Sequence, residues 1–187
     1  MGIKKNTRYT VRIPDRINIF YSETKKIVIF KGSQTQKSLK IKTKLKIKKN
    51  KLEVTAIPLS KLSNNLQKTL KENQGTTIAL IKQLLTDAST ITYKKLKFKG
   101  IGYRASLINQ NLLLLKLGYS HPIYFKTPKN LEIFSLKLTK LFLSSNSYQS
   151  LTSTASLIRS KKLPEPYKGK GILYENEKIK LKEGKKI

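Results

Sequence analysis

Leu39-Lys40-Ile41-Lys42-Thr43-Lys44-Leu45-Lys46-Ile47-Lys48 is the stretch whose reading decides the fold of the first half of this chain. Apolar residues alternate with lysines at a period of two, and only Thr43 interrupts the apolar side. Such a period places Leu39, Ile41, Leu45 and Ile47 on one face of a sheet and five ammonium groups on the other. The alternation resumes after a turn at Lys49-Asn50, through Leu52, Val54 and Ala56. Upstream, residues 17–21 and 26–30 read as two short strands closed by Gly32. Downstream, residues 59–75 are polar and turn-like, or at most loosely helical. From Thr76 the period changes: Ile78, Ile81, Leu84, Leu85 and Ala88 fall at helical spacing, with Gly75 and the Thr pair where a helix should start. One amphipathic helix on one antiparallel sheet is a complete small α+β unit.

The second half repeats this order. Strands are expected at 95–99, 103–108, 112–117, 123–126 and 131–142, with a hairpin turn at Asn109-Gln110-Asn111. A helix is expected from about Tyr148, with Leu151, Ala155 and Ile158 on one face and Pro164 as its stop. The expected architecture is therefore α+β: two tandem, similar domains, each an antiparallel sheet packed with one main helix. They span 1–89 and 90–175, and a basic C-terminal tail follows at 176–187.

Charge narrows the function classes. The 187 residues carry 40 Lys and Arg against 10 Asp and Glu, a formal net charge of +30. Self-repulsion on that scale suits a protein that lives against a polyanion, where each neutralised phosphate releases condensed counterions. Only five of the basic residues are Arg: Arg8, Arg12, Arg16, Arg104 and Arg159. Lysine, a point charge, favours diffuse phosphate contact over bidentate base reading. The chain has no Cys and one His. That excludes a thiolate nucleophile, disulfides and zinc sites of Cys/His type, and no cofactor is expected. The longest purely apolar run is Leu112–Leu115, far short of a membrane span, and the first sixteen residues hold no signal-peptide apolar region. The chain is expected to have no membrane partner and to be made where it works.

Three motifs need weighing. Gly100-Ile101-Gly102-Tyr103-Arg104-Ala105 matches a dinucleotide fingerprint only superficially, because a hairpin follows where the fingerprint needs a helix. Structural glycines at a tight strand bend are the better reading. His121, in the turn Gly118-Tyr119-Ser120-His121-Pro122, has no acidic neighbour in sequence to orient it as a general base. It reads as a hydrogen-bonded turn residue, with RNA contact as the second choice. The lysine face of residues 40–48 suits either solvent or phosphate.

Pro164-Glu165-Pro166-Tyr167-Lys168-Gly169-Lys170-Gly171-Ile172 is more specific. Two prolines stiffen the approach, two glycines let the backbone come close to a ligand, and Tyr167, Lys168 and Lys170 supply a ring, a hydroxyl and charge. The combination suits phosphate and sugar contact, with a plain flexible turn as the alternative. If RNA approaches the main chain here, Gly169→Ala and Gly171→Ala are expected to impair binding with little effect on the free protein's fold.

At this loop the chain resembles a known family. PEPYKGKGI, with SLIRSKKL before it and LYENEKIKLKEGKK after it, looks like the C-terminal signature of the universal large-subunit ribosomal protein number six. KKLKFKGIGYRA, LLLLKLGYSHPIYFKTPKNLEI, GTTIALIKQLL, IPDRINI and IVIFKG extend the resemblance over nearly the whole chain, thinly between Ser33 and Gln74. It implies two similar α+β domains and a non-catalytic role in the large ribosomal subunit. The implied partners are large-subunit rRNA and neighbouring ribosomal proteins, and the implied place is the stalk base, near the sarcin–ricin region where translation factors dock. It also implies rRNA contacts at Tyr167, Lys168, Gly169, Lys170 and Gly171, with Arg159 and Lys185 nearby, and matches family positions at His121 and Arg104. The alternative from another class is a free basic nucleic-acid-compacting protein. The chain departs from the family pattern at Gly32-Ser33-Gln34-Thr35-Gln36 and at Ser144-Ser145-Asn146-Ser147, where the family tends to carry Gly. With the AT-type composition, these departures suggest an organelle-encoded copy in the mitochondrial matrix, with a plastid or a bacterial cytoplasm as alternatives.

Overall fold

A computed structural model of the chain describes residues 9–32, 35–48, 50–54, 63–109 and 111–184. Ser33, Gln34, Lys49, Ala56, residues 59–62, Gln110 and Lys185 of the reading above lie outside them. The chain divides into two compact units, Met1–Thr90 and Ile91–Ile187.

In the first unit β1 (Thr10–Arg12), β2 (Asn18–Ser22), β3 (Ile27–Lys31), β4 (Gln36–Lys40), β5 (Leu45–Lys48) and β6 (Lys51–Val54) precede α1 (Asn64–Ser89). They form two antiparallel three-stranded sheets, in the orders β2-β3-β4 and β1-β6-β5. In the second unit β7 (Thr92–Lys99), β8 (Arg104–Asn109), β9 (Leu112–Lys116), β10 (Ile123–Lys126), β11 (Glu132–Lys137) and β12 (Lys140–Ser145) precede α2 (Tyr148–Ser160). Their orders are β8-β9-β10 and β7-β12-β11, antiparallel throughout. Strand for strand this is the topology of the first unit, so the two units repeat one plan. The second adds β13 (Gly171–Tyr174), which pairs with the free edge of β7. The α+β class expected from the sequence stands.

Each helix closes its own core. Ile78, Ile81, Leu85 and Ala88 of α1 are buried with Val28, Phe30, Leu52 and Val54. Leu151, Ala155 and Ile158 of α2 are buried with Leu96, Leu113, Leu115, Leu141, Leu143 and Ile172. Burying a full aliphatic side chain contributes about 1.5–3 kcal/mol, so these stripes hold the helices on their sheets.

Four local expectations change. The 39–48 run is two strands in different sheets, because the chain bends at Lys42-Thr43. Its alternation survives the bend as far as Leu45: Ile41, Thr43 and Leu45 are buried while Lys40, Lys42, Lys44 and Lys46 are exposed. Ile47, expected on the apolar face, is instead 42% exposed. Thr43, the polar intruder, donates a hydrogen bond to Thr77 of α1 at 3.4 Å. The helix α1 begins at Asn64, not Thr76, and Gly75 lies in its interior. Residues 64–73 are exposed or half-buried, so they carry no apolar period, although Leu, Gln, Lys and Glu among them favour helix. The apolar run 131–142 is a hairpin, β11–β12, turning at Leu138-Thr139. Neither turn residue is Gly or Asn, and Leu136 and Leu138 are exposed, so the pattern hides the turn. Finally, residues 171–174 form a strand where the sequence suggests loop.

The helix stripe gives a graded expectation. Ile81 is fully buried and Leu84 only partly so. Ile81→Ala should cost about 2–5 kcal/mol and Leu84→Ala clearly less, read by urea denaturation. Equal losses would contradict the stripe.

Candidate nucleic-acid interface

Several chain reversals of the second unit meet at one end of it. The strand β7 runs out at Lys99, and β8 starts at Arg104 opposite Lys116 of β9. The turn after β9 is tied to the end of α2: the Tyr119 hydroxyl donates to the Lys161 carbonyl at 3.0 Å, and the Lys162 ammonium lies 4.3 Å from the Tyr119 ring centroid. Cation and ring hold each other there. The Tyr103 ring packs between Gly100 and Gly118, joining the first reversal to the second. Lys99 pairs with Gly171, which brings the 164–171 loop to the same end.

That loop is built by its own backbone. The Glu165 N–H donates to the Lys170 carbonyl at 2.8 Å, and the Gly169 N–H to the Glu165 carbonyl at 2.9 Å. The Ile172 N–H reaches the Lys162 carbonyl at 3.0 Å, and the Lys182 N–H reaches the Pro166 carbonyl at 3.0 Å. Gly171, at φ +148°, would place a Cβ 2.5 Å from Pro164 Cα. Gly169, at φ +66°, lies beneath Leu181 and the Lys99 ammonium, whose nitrogen stands 3.4 Å from where a Cβ would be. Both glycines are buried. The expectation that Ala at Gly171 would spare the free fold is therefore corrected, because the close approach there is the chain's own.

The structure brings most of the expected residues together. Tyr167 and Lys168 are exposed at the loop tip, and Lys170 is half-buried beside it. Arg104 and His121 are exposed on the neighbouring reversals, where His121 Nδ1 stands 3.5 Å from the Ser120 hydroxyl. Arg159 differs. Its guanidinium is held by the Glu177 carboxylate at 2.5 Å and lies 5.4 Å from the Tyr174 ring centroid. The other Glu177 oxygen accepts the Tyr174 N–H at 3.1 Å. Arg159 thus fastens the segment after β13 to α2.

Sequence reading missed Lys99, Lys116, Tyr119, Lys161 and Lys162 as parts of this surface. The adjacent lysines at the end of α2 were the available signal, since cations are favoured at a helix C-terminus. What the surface offers is charge, aromatic faces and hydroxyls around a fixed loop. Among the described residues no cluster of His, Asp or Glu could hold a metal ion, and none of the helices is long and apolar enough to cross a membrane. Phosphate and sugar contact is the chemistry these groups can perform.

The chain is similar to known proteins over nearly its whole length. The family model described as ribosomal protein L6 matches residues 99–175, from the end of β7 through β13. Large ribosomal subunit protein uL6 of Mycoplasmoides gallisepticum is 41% identical over 175 residues, covering 94% of this chain and 92% of that protein. The protein of the same name from Mycoplasma capricolum subsp. capricolum is 36% identical over 176 residues, covering 94% and 93%. That of Chromohalobacter salexigens is 34% identical over 179 residues, covering 96% and 97%. With identity of this order running end to end through both units, the chain belongs to the uL6 (ribosomal protein L6) family.

Proposed function

We propose that the chain is a structural constituent of the large ribosomal subunit and binds large-subunit rRNA through the loop end of its second unit. The observation that carries this is the meeting of Lys99, Arg104, Lys162, Lys168 and Lys170 around a loop fixed by its own backbone. A rigid basic surface loses little conformational entropy when a phosphate backbone docks. The lysines serve phosphates, while Tyr167 and His121 offer rings to sugars and bases. Gly169, at positive φ beneath Leu181 and the Lys99 ammonium, sets the turn of the loop, Gly171 holds its base, and Arg159 supports it from α2. The basic residues Lys178, Lys180, Lys182 and Lys185 that follow β13 add charge to the contact. The resemblance in the loop motifs supports a place at the stalk base, near the sarcin–ricin region and the translation factors that dock there. Neighbouring ribosomal proteins are the other partners.

The relatives named above are bacterial. They favour the bacterial cytoplasm among the compartments considered and lend nothing to the mitochondrial one. AT-type composition marks any AT-rich genome, organellar or not.

Sedimentation tests the reading as a whole: the chain should travel stoichiometrically with large subunits through high-salt gradients. Recovery mainly with DNA would reject it in favour of a compacting protein. Lys168→Ala with Lys170→Ala should weaken rRNA binding and flatten the dependence of log affinity on log salt by about one per lost contact. An unchanged slope would place both ammoniums away from phosphate. Gly171→Ala should destabilise the free protein by about 3 kcal/mol in denaturant melts, through overpacking on Pro164 and an unfavourable φ. Gly169→Ala should cost only about 1 kcal/mol there, because its neighbours are the movable ends of Leu181 and Lys99, yet it should still reduce subunit incorporation. Stable Gly171→Ala protein would show that the loop base is not fixed as described.

A further inference from the structure

The sheet β11-β12-β7-β13 has two faces, and α2 packs on only one of them. Strand alternation turns Leu96, Phe98, Leu141, Leu143 and Ile133 toward α2. It turns Tyr93, Phe142 and Phe134 the other way. These three rings form a row across three adjacent strands. Tyr93 and Phe142 stack with centroids 5.3 Å apart and planes 16° from parallel, and Phe134, directly opposite Phe142, has its centroid 6.5 Å away. Tyr93 is 62% exposed and Phe134 50%, while Phe142 between them is half-buried and backs both.

Lysines are woven into the same face. The Lys95 ammonium lies 5.9 Å from the centroids of both Tyr93 and Phe142. Lys97 and Lys140 are directly opposed across the β7–β12 ladder. Like charges in that register repel, and the Lys97 ammonium donates to the Glu175 carbonyl at 3.0 Å while keeping two protons for a phosphate. The two acidic groups of the face are already engaged, Glu175 with Lys95 at 3.3 Å and Glu132 with the Ser144 hydroxyl at 3.4 Å.

We propose that this face is a stacking platform for unpaired nucleobases of RNA, with Tyr93 and Phe134 each taking one base and Lys97 and Lys140 the intervening phosphates. The inference rests on the RNA-binding reading above and adds a second surface of different chemistry, one that reads single strands. Exposed rings on one sheet face, here separated by the strand that carries Phe142, offer the aromatic faces on which successive bases stack. A protein neighbour fits the face less well, because cores of protein interfaces are depleted in lysine. An extended single strand supplies π-faces and negative charge together.

The test uses the full chain with two probes, a labelled oligouridylate of about eight nucleotides and a blunt RNA duplex. Tyr93→Leu and Phe134→Leu keep apolar bulk and remove the aromatic face. Each should weaken oligouridylate binding on the order of tenfold, with duplex affinity and thermal melting unchanged. Tyr93→Trp supplies an independent readout, because the chain has no Trp. Its emission should be quenched on titration with oligouridylate, at unchanged or tighter affinity. Leucine variants that bind oligouridylate like wild type, or an indole whose emission ignores it, would overturn the platform. Leucine variants with wild-type oligouridylate binding but poor incorporation into subunits would also overturn it, assigning the face to a protein neighbour. Failure of the wild-type protein to bind large-subunit rRNA at all would instead sink the reading on which the platform rests.

Discussion

Pairing of Gly171–Tyr174 with Leu96–Lys99 is the constraint on which the candidate interface depends. Without it, residues 161–171 would be a basic linker leaving the end of α2. With it, the linker is drawn back across the edge of β7 and fastened at both ends. The pairing in turn depends on one missing atom, since a Cβ on Gly171 would collide with Pro164. Beyond β13 the chain stays fastened, through Glu177 on Arg159 and the Lys182 N–H on the Pro166 carbonyl. A partly buried charged pair of this kind is worth more than an exposed one, because solvent screens it less.

Charge and fold coexist here by segregation. At +30 the chain repels itself, and the ion pairs Lys44–Glu23, Lys48–Glu53 and Lys95–Glu175 engage few of its cations. Exposed pairs contribute at most about 1 kcal/mol each. The cores carry the stability instead, since both are apolar and sheltered from the lysine faces. A bound polyanion would then relieve the repulsion that the free protein tolerates.

Two units of one plan differ in what they add to it. Both units thread six strands and a helix through the same sheet orders among the described residues. In the second unit the edge of β7 pairs with β13, which follows the loop that bears Tyr167, Lys168 and Lys170. The outer face of the same sheet carries the Tyr93–Phe142–Phe134 row. Both features lie at an edge or on an exposed face, where side chains do not disturb the buried stripe under the helix.

Sequence by itself determined the strand periods and the helix stripes. Period two at Ile41, Thr43 and Leu45 and helical spacing at Ile78, Ile81 and Leu85 are local consequences of backbone geometry. The residue types of PEPYKGKGI suit phosphate contact or a plain turn and do not decide between them. Tertiary structure decided the rest. Residues 64–73 are helical without an apolar period, because that half of α1 stays largely out of the core and leaves no hydrophobic trace. The turn at Leu138-Thr139 is fixed by the register of β11 on β12 rather than by turn residues. Lys99, Tyr119 and Lys162 join one surface across wide gaps in sequence because β7, the turn after β9 and the end of α2 stop at the same end of the unit. Gly171 looked free to meet RNA, yet it is filled by Pro164, seven residues earlier and brought back by a strand pairing that local pattern could not announce. Periodicity reports which face of an element is buried, and only the packed chain shows which elements end together.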